Sequence, residues 1–279
     1  MNETKASQTA LGVSLMRAIH TRLDHPQHID DPWGDRLVLD SERAAFGSEA
    51  RLRRSPGYGL VILRTRYTEE TLAAAVARGV RQYVILGAGM DSFALRQPAF
   101  AQGVDVIEVD HPASQTLKRE RLRACGARVP PRLHFVPADL SREPLATALT
   151  RSPYRSVEPA FFSWLGVAVY LAREANLATL RGIAAGAAAG SELVFTYMDQ
   201  RDMDAESDSI RDLRSRVAAL GEPWVSGFDP TQLGDDLRQV GLSLVEDFNG
   251  EEIWRKYCTG DEDGLRSPAV FRIARARVA

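Results

Sequence analysis

The segment Tyr83-Val84-Ile85-Leu86-Gly87-Ala88-Gly89-Met90-Asp91-Ser92 joins an apolar run to two closely spaced glycines. A buried strand that enters a Gly-x-Gly turn ahead of a helix lets the backbone approach a ligand and directs unpaired helix N–H groups towards it. The segment therefore predicts a nucleotide-sized cofactor site at the turn, formed by Gly87, Ala88, Gly89 and Asp91. The third glycine of a dinucleotide-binding GxGxxG motif is replaced by Ser92, so an ordinary tight turn stays an alternative.

Short apolar runs alternate with helical patterns throughout the part of the chain that follows this segment. The runs cover residues 83–86, 104–109, 133–136, 160–165 and 192–197, and the helical patterns cover 92–98, 113–125, 144–149 and 173–185. Such alternation is typical of βαβ units on a parallel sheet that is buried on both faces. We predict a doubly wound α/β fold, completed by runs at 242–248 and 269–276 as an antiparallel pair.

Helical patterns dominate the first eighty residues, where Leu11, Leu15 and Ile19 recur at helical spacing. We interpret this stripe as a packing surface. A charged stretch after Tyr197 keeps helical spacing as well and predicts an inserted helix. The chain is expected to be one domain, residues 1–279, with a helical cap over 1–80 and an α/β core over 81–279 that carries a helical lid at about 200–228.

Acidic residues follow the second and third apolar runs. Asp110 ends the second run about twenty residues after the glycines, at a position where a carboxylate can accept the ribose hydroxyls of a nucleotide, and Glu108 is the second choice. Asp139, with the backbone N–H near Leu140, could contact an adenine ring. Taken alone, Asp139 is better explained as the N-cap of the next helix, and the two roles are compatible.

Several ordered blocks of the chain resemble the bacterial branch of the leucine carboxyl methyltransferase family. Members of this branch are S-adenosylmethionine-dependent O-methyltransferases often linked to polyketide-type secondary metabolism. The resemblance extends over nearly the whole chain and is carried mainly by Arg64-Thr65-Arg66-Tyr67, Val84 to Asp91, Glu108-Val109-Asp110-His111-Pro112, Val136 to Leu140 and Gly166-Val167-Ala168-Val169-Tyr170-Leu171. It implies a class I methyltransferase (Rossmann-like) fold and S-adenosyl-L-methionine as cofactor.

The resemblance also assigns roles to individual residues. Gly87 and Gly89 would lie beneath the methionine part of the cofactor, Asp110 would bind the ribose, and Asp139 with Leu140 would contact the adenine. An arginine of the third helix binds the cofactor carboxylate in this family, and both Arg64 and Arg66 stand in that block. Many relatives carry a glutamate for the cofactor amino group where this chain has Leu165, so backbone carbonyls or another acid must replace it.

The methyl acceptor is a small molecule with either a carboxylate or a hydroxyl oxygen. A carboxylate, with a reference pKa near about 4, is already ionised at pH 7, whereas a hydroxyl requires a base. The five histidines lack an identifiable partner, so no catalytic residue is assigned. Aromatic side chains near strand ends, Trp164 among them, could pack against the acceptor or the sulfonium, although core packing explains them equally well.

Composition excludes several other classes of protein. With 35 Lys and Arg against 37 Asp and Glu, the net charge of -2 supplies no basic field for nucleic acid. The two cysteines, Cys125 and Cys258, fit no zinc-ligand spacing and favour a reduced, cytoplasmic setting, and no metal site is expected. The sequence has no apolar run long enough for a signal peptide or a membrane span.

Two other functions fit the same glycine turn. One is a nicotinamide-dependent oxidoreductase on a Rossmann fold, which Ser92 and the lack of an evident hydride-transfer constellation disfavour. The other is a catalytically weak relative that binds the cofactor as a sensor, which Leu165 supports. A homodimer is compatible with the sequence, but no feature requires one.

Overall fold

The computed structural model describes residues 8–140, 142–204, 208–219, 221, 223–259 and 263–279. Its strands are β1 (Gln82–Leu86), β2 (Asp105–Asp110), β3 (Leu133–Pro137), β4 (Phe161–Trp164), β5 (Glu192–Met198), β6 (Leu242–Asn249) and β7 (Phe271–Val278). Its helices are α1 (Gln8–Leu23), α2 (Gly34–Leu37), α3 (Asp40–Phe46), α4 (Glu49–Arg53), α5 (Tyr58–Ala77), α6 (Phe93–Arg96), α7 (Pro112–Ala124), α8 (Leu145–Leu149), α9 (Arg173–Gly186), α10 (Gln200–Asp204), α11 (Asp208–Ala219), α12 (Leu233–Gln239) and α13 (Gly250–Tyr257).

The strands form one seven-stranded sheet in the order β3-β2-β1-β4-β5-β7-β6. β1 to β5 are parallel, and β7 is antiparallel to both of its neighbours. The strand order reverses between β1 and β4, which pair from Tyr83 opposite Phe161 to Ile85 opposite Ser163. In an open α/β sheet, ligands bind in the crevice outside the carboxyl ends of the strands at such a reversal.

Helices cover both faces of the sheet, so the predicted doubly wound α/β architecture is confirmed. One apolar core lies between the sheet and α1, α5, α7 and α13, with Leu15, Leu72, Leu122 and Ile253 buried in it. The other lies beneath α8, α9 and α12, with Leu145, Leu180 and Leu237 fully or almost fully buried. The near-continuous burial of β1 and β5 follows from this double cover.

The cap and the lid are less regular than the helical patterns alone indicate. Three short helices, α2, α3 and α4, follow α1, because Gly47 and Ser48 interrupt the helical stretch. In the lid, helical structure extends to Ala219, and Phe228 then forms an isolated bridge to Asp199 at the end of β5. α13 has no counterpart among the predicted elements, although Asn249 and Glu252 form a capping box at its start.

Neither a candidate membrane span nor a candidate metal cluster occurs among the described residues. None of the helices described is long and apolar enough to cross a membrane. Within the same ranges, no group of three or more His, Cys, Asp or Glu side chains is arranged to hold a metal ion.

Candidate active site

A cleft of about 150 Å³ lies at the carboxyl ends of β1 and β2, where the strand order reverses. The glycine turn after β1 forms its floor, and α1, α5 and the loop after β4 form its walls. Residues that line it include Thr9, Arg17, Arg64, Gly87, Ala88, Gly89, Asp91, Asp110, Leu165 and Tyr170. The predicted site residues of the glycine turn therefore all lie in one concave space.

The glycine turn has a backbone conformation that favours glycine. Gly87 and Gly89 have φ angles of 67° and 49°, and the Gly87 N–H donates to the carbonyl oxygen of Val109 at 2.8 Å. A Cβ on Gly87 would lie 2.4 Å from Cγ2 of Val167. Both the φ angles and this close approach exclude larger residues, so the turn can bring its backbone against a ligand.

Asp110 connects the end of β2 to the turn. Its carboxylate accepts hydrogen bonds from the Gly89 N–H at 2.5 Å and from the His111 N–H at 2.7 Å. Burial raises the pKa of Asp110, while these two hydrogen bonds act in the opposite direction. The side chain lines the cleft beside the turn, as the sequence predicted, and carries acceptor oxygens where ribose hydroxyls can donate.

Arg64 and Arg66 lie on different sides of α5. The Arg64 guanidinium lines the cleft, and the residue is only 9% exposed. Arg66 points outward with its side chain 48% exposed, near Glu70 and the carbonyl oxygen of His28. The structure thus separates two arginines that the sequence left as alternatives.

Arg64 is a buried cation without a neutralising partner. Among the described residues, no carboxylate forms an ion pair with its guanidinium. Burial, together with the charge of the neighbouring Arg17, lowers the pKa of Arg64 to about 10, although Tyr170 and Asp91 oppose the shift. The group is still charged at pH 7, and a buried charge of this kind is costly unless an anionic ligand pairs with it.

Arg17 and Asp31 are site residues that the sequence analysis missed. The Arg17 Nε donates to Asp31 at 2.6 Å, and its Nη2 donates to the carbonyl oxygen of Met90 in the glycine turn at 2.8 Å. Asp31 also accepts a hydrogen bond from the Ser92 hydroxyl. Burial would raise the pKa of Asp31, but the charges of Arg17 and Arg96 hold it below its ordinary value. These hydrogen bonds connect the N-terminal helical cap to the glycine turn.

Glu108 lies outside the cleft. Its carboxylate forms an ion pair with Lys118 of α7 at 2.5 Å, and both side chains are 1% exposed. Burial raises the pKa of Glu108 to about 7, although Lys118 opposes the shift. Glu108 is therefore buried against Lys118 and does not contact the space in the cleft.

The raised pKa of Glu108 predicts a pH-dependent contribution to stability. The unfolded chain ionises this group near its ordinary value of 4.5, whereas the folded protein retains the proton up to about pH 7. The folded state then binds more protons across this window, so the contribution of Glu108 to the free energy of unfolding decreases as the pH rises from about 5 to 7. We expect urea denaturation at several pH values to show this decrease for the wild type relative to Glu108→Gln. A constant difference between the two proteins across the window would contradict it.

The other predicted contacts, Asp139, Leu140 and Trp164, do not line the cleft. Asp139 follows β3 and is near Arg142, with their side chains 3.2 Å apart, and its carbonyl oxygen accepts N–H groups of the next turn. Leu140 packs on the core beneath α8 and α9. Trp164 is 1% exposed, packs against Phe195 in that same core and does not line the cleft.

A second, larger cavity of about 400 Å³ adjoins the cleft. Its walls are mainly apolar and come from the cap, the lid and the sheet, including Met16, Phe46, Val217, Trp224 and Phe271. Among the described residues that line it, the formally charged ones are Arg51 and Arg64, and none is an acid or a histidine. The volume is that of a small-molecule site.

The cleft fits S-adenosyl-L-methionine. An unpaired buried guanidinium suits the cofactor carboxylate, and the carboxylate at the end of β2 suits a ribose. Solved structures share the fold: a methyltransferase structure from Thermobifida fusca YX covers 100% of this chain and 96% of its own at a TM-score of 0.63 and 17% identity. A DUF574 family protein from Streptomyces avermitilis covers 86% and 92% at a TM-score of 0.62 and 15% identity. The fold and the site define a class I S-adenosyl-L-methionine-dependent methyltransferase.

Sequence comparisons place the chain within that class. The leucine carboxyl methyltransferase model matches residues 10–184, and the chain belongs to this family. YktD of Bacillus subtilis (strain 168), whose name assigns it to the S-adenosyl-L-methionine-dependent methyltransferases, is 30% identical over 95% of both chains. A similarly named protein of Mycolicibacterium smegmatis is 36% identical over 87% of this chain and 85% of its own. The family and the cofactor implied by the sequence blocks are confirmed.

Proposed function

We propose that this methyltransferase acts on a carboxylate oxygen of an apolar small molecule that binds in the 400 Å³ cavity. The observation that carries the proposal is the composition of the cavity wall. It combines apolar side chains with the cation of Arg51, besides Arg64, which we assign below to the cofactor, and its described residues offer no acid or histidine as a base. Such a wall attracts an anion and supports a reaction in which the nucleophile is already ionised.

When bound, S-adenosyl-L-methionine would supply an electrophilic methyl group on its sulfonium sulfur, with S-adenosylhomocysteine as the leaving group. The task of this chain is then to hold the acceptor in line and to exclude water. A carboxylate, ionised at pH 7, needs no proton removed, whereas an alcohol needs a base. Tyr197 does not supply one, because its hydroxyl donates to Asp247 at 2.8 Å and its pKa is raised by burial.

For the cofactor itself, we propose Arg64 as the partner of its carboxylate and Asp110 as the partner of its ribose. Gly87, Ala88 and Gly89 supply the backbone surface, and Asp139 with Leu140 contacts the adenine. Leu165 lines the cleft where relatives carry a glutamate. Asp91 is the other acid among the described cleft residues, so we assign the cofactor ammonium to it. Arg66, Glu108 and Trp164 have no direct contact in this proposal.

The wider role follows from the resemblance rather than from the site. A cavity that takes an apolar acid is compatible with polyketide-type secondary metabolism, where such acids occur. We include that role in the proposal, together with a small-molecule acceptor as the partner.

A matched pair of acceptors tests the proposal. Naphthoic acid and naphthylmethanol share a carbon skeleton and differ in the oxygen group offered, and mass spectrometry separates their methyl ester and methyl ether. Because general-base catalysis contributes about 10²- to 10⁴-fold, we expect the acid to react at least about 100-fold faster. Its rate should also be level between about pH 6 and pH 9. Faster methylation of the alcohol, with a rate that rises with pH, would contradict the proposal.

A further inference from the structure

The cofactor cleft and the apolar cavity share a short stretch of wall. A methyl group that moves from one space to the other must cross this junction. The residues that line both spaces are Thr9, Val13, Arg64, Gly166 and Tyr170. Polar atoms at this junction therefore lie next to the reacting oxygen of an acceptor.

The Thr9 hydroxyl is buried at the junction and has no hydrogen-bond partner among the residues that the structure describes. Other threonines of the cap helices donate to a carbonyl oxygen one turn earlier, as Thr68 does to Arg64 at 2.7 Å and Thr71 does to Tyr67 at 2.8 Å. An unsatisfied buried hydroxyl costs free energy, and a ligand that accepts its proton would recover it.

We infer that Thr9 is a positioning residue for the acceptor: its Oγ1–H donates to the carboxylate oxygen that does not attack the methyl group. This inference rests on the proposed carboxylate acceptor. One oxygen of a carboxylate faces the methyl carbon in line, and the other keeps lone pairs for a donor. An alcohol has no second oxygen, so the same contact selects acids over alcohols of equal shape.

The Thr9 hydroxyl is better matched to the acceptor carboxylate than to the cofactor carboxylate. Its carboxylate has a full charge partner in Arg64, whose guanidinium fork suits a carboxylate better than one neutral hydroxyl does. The side of Thr9 that faces the apolar cavity is surrounded mostly by carbon. Thr9 is thus matched to the one polar end of an otherwise apolar acceptor.

Calorimetry on the full chain tests the inference, with Thr9→Val as the isosteric variant that lacks the donor. S-adenosylhomocysteine is titrated first, and naphthoic acid is then titrated into the loaded protein. We expect Thr9→Val to bind the acid about 10-fold more weakly and S-adenosylhomocysteine within about 2-fold of the wild type. Thr9→Ser keeps the donor and should restore acid binding. In turnover assays, the loss should fall mainly on KM.

Ser14 supplies the matched control. Its hydroxyl is also buried in α1 with no partner in the described part of the chain, but it lines neither space. Ser14→Ala should leave both titrations unchanged, and Thr9→Ala serves in place of Thr9→Val if the latter fails to fold. Equal weakening of both ligands by Thr9→Val, or of neither, would overturn the inference while leaving the carboxylate proposal intact. Failure of the wild type to bind or methylate the acid would instead overturn the proposed function, and the inference with it.

Discussion

Replacement of Arg64 by methionine is expected to weaken the binding of S-adenosylhomocysteine at least about 100-fold. A hydrogen bond to a charged group contributes about 1.5 to 3 kcal/mol, and a guanidinium can give a carboxylate two of them. The Arg64 guanidinium lines the cleft, and its residue is only 9% exposed. Removal of the side chain therefore leaves the cofactor carboxylate in a buried space without its cation. Isothermal titration calorimetry measures the change directly.

The same substitution should raise the melting temperature of the free protein. Burial lowers the pKa of Arg64 to about 10, which means that folding disfavours its charge, and Arg17 adds repulsion. Arg66→Met is the control, because that side chain is 48% exposed and should affect neither measurement. If Arg64→Met bound the ligand as the wild type does, or if Arg66→Met lost binding instead, the assignment of Arg64 would be wrong.

Replacement of Asp31 by alanine is expected to destabilise the fold by about 3 to 5 kcal/mol, the usual cost of removing one partner of a buried ion pair. Asp31 is fully buried, and its carboxylate accepts from Arg17 at 2.6 Å and from the Trp33 N–H at 3.1 Å. Without it, the Arg17 guanidinium stays buried, and the Met90 carbonyl is its one remaining hydrogen-bond partner among the described residues. Thermal denaturation should show a decrease of at least about 6 °C in melting temperature.

Asp30 provides a control one residue away. Asp30 is exposed, so Asp30→Ala should leave the melting temperature nearly unchanged. Asp31→Asn keeps the shape and one acceptor oxygen but loses the charge, and its melting temperature should fall between those of the wild type and Asp31→Ala. Equal stability of Asp31→Ala and Asp30→Ala would show that the network between cap and turn contributes nothing.

Most of the fold is predictable from the sequence, because apolar runs and glycines act locally. Each of the runs at 83–86, 104–109, 133–136, 160–165 and 192–197 matches one strand of the sheet to within about one residue at either end. The glycine turn and Asp110 follow from the same signal, since both stand where a strand ends. The end of a strand can be recognised from neighbouring residues in the sequence. This is sufficient to identify the glycine turn and Asp110.

The features that were not predicted depend on contacts between distant segments. Glu108 lies two residues before Asp110 on the same strand, yet Lys118 of α7 covers it, and no pattern within β2 reveals that. The apolar stripe of the first helix gives no sign of Arg17, because α1 is buried on several sides and places this charge against Asp31. Arg64 and Arg66 lie about 200° apart around α5. The helical repeat alone therefore predicts that their side chains point in nearly opposite directions.

A crystal structure of the protein with S-adenosylhomocysteine tests the central claim most directly. The account predicts that the ligand occupies the cleft above the glycine turn, with its carboxylate within about 3 Å of the Arg64 guanidinium and its ribose hydroxyls at the same distance from Asp110. Its sulfur should face the apolar cavity. A ligand bound in that cavity instead, or one that contacts neither Arg64 nor Asp110, would contradict the account.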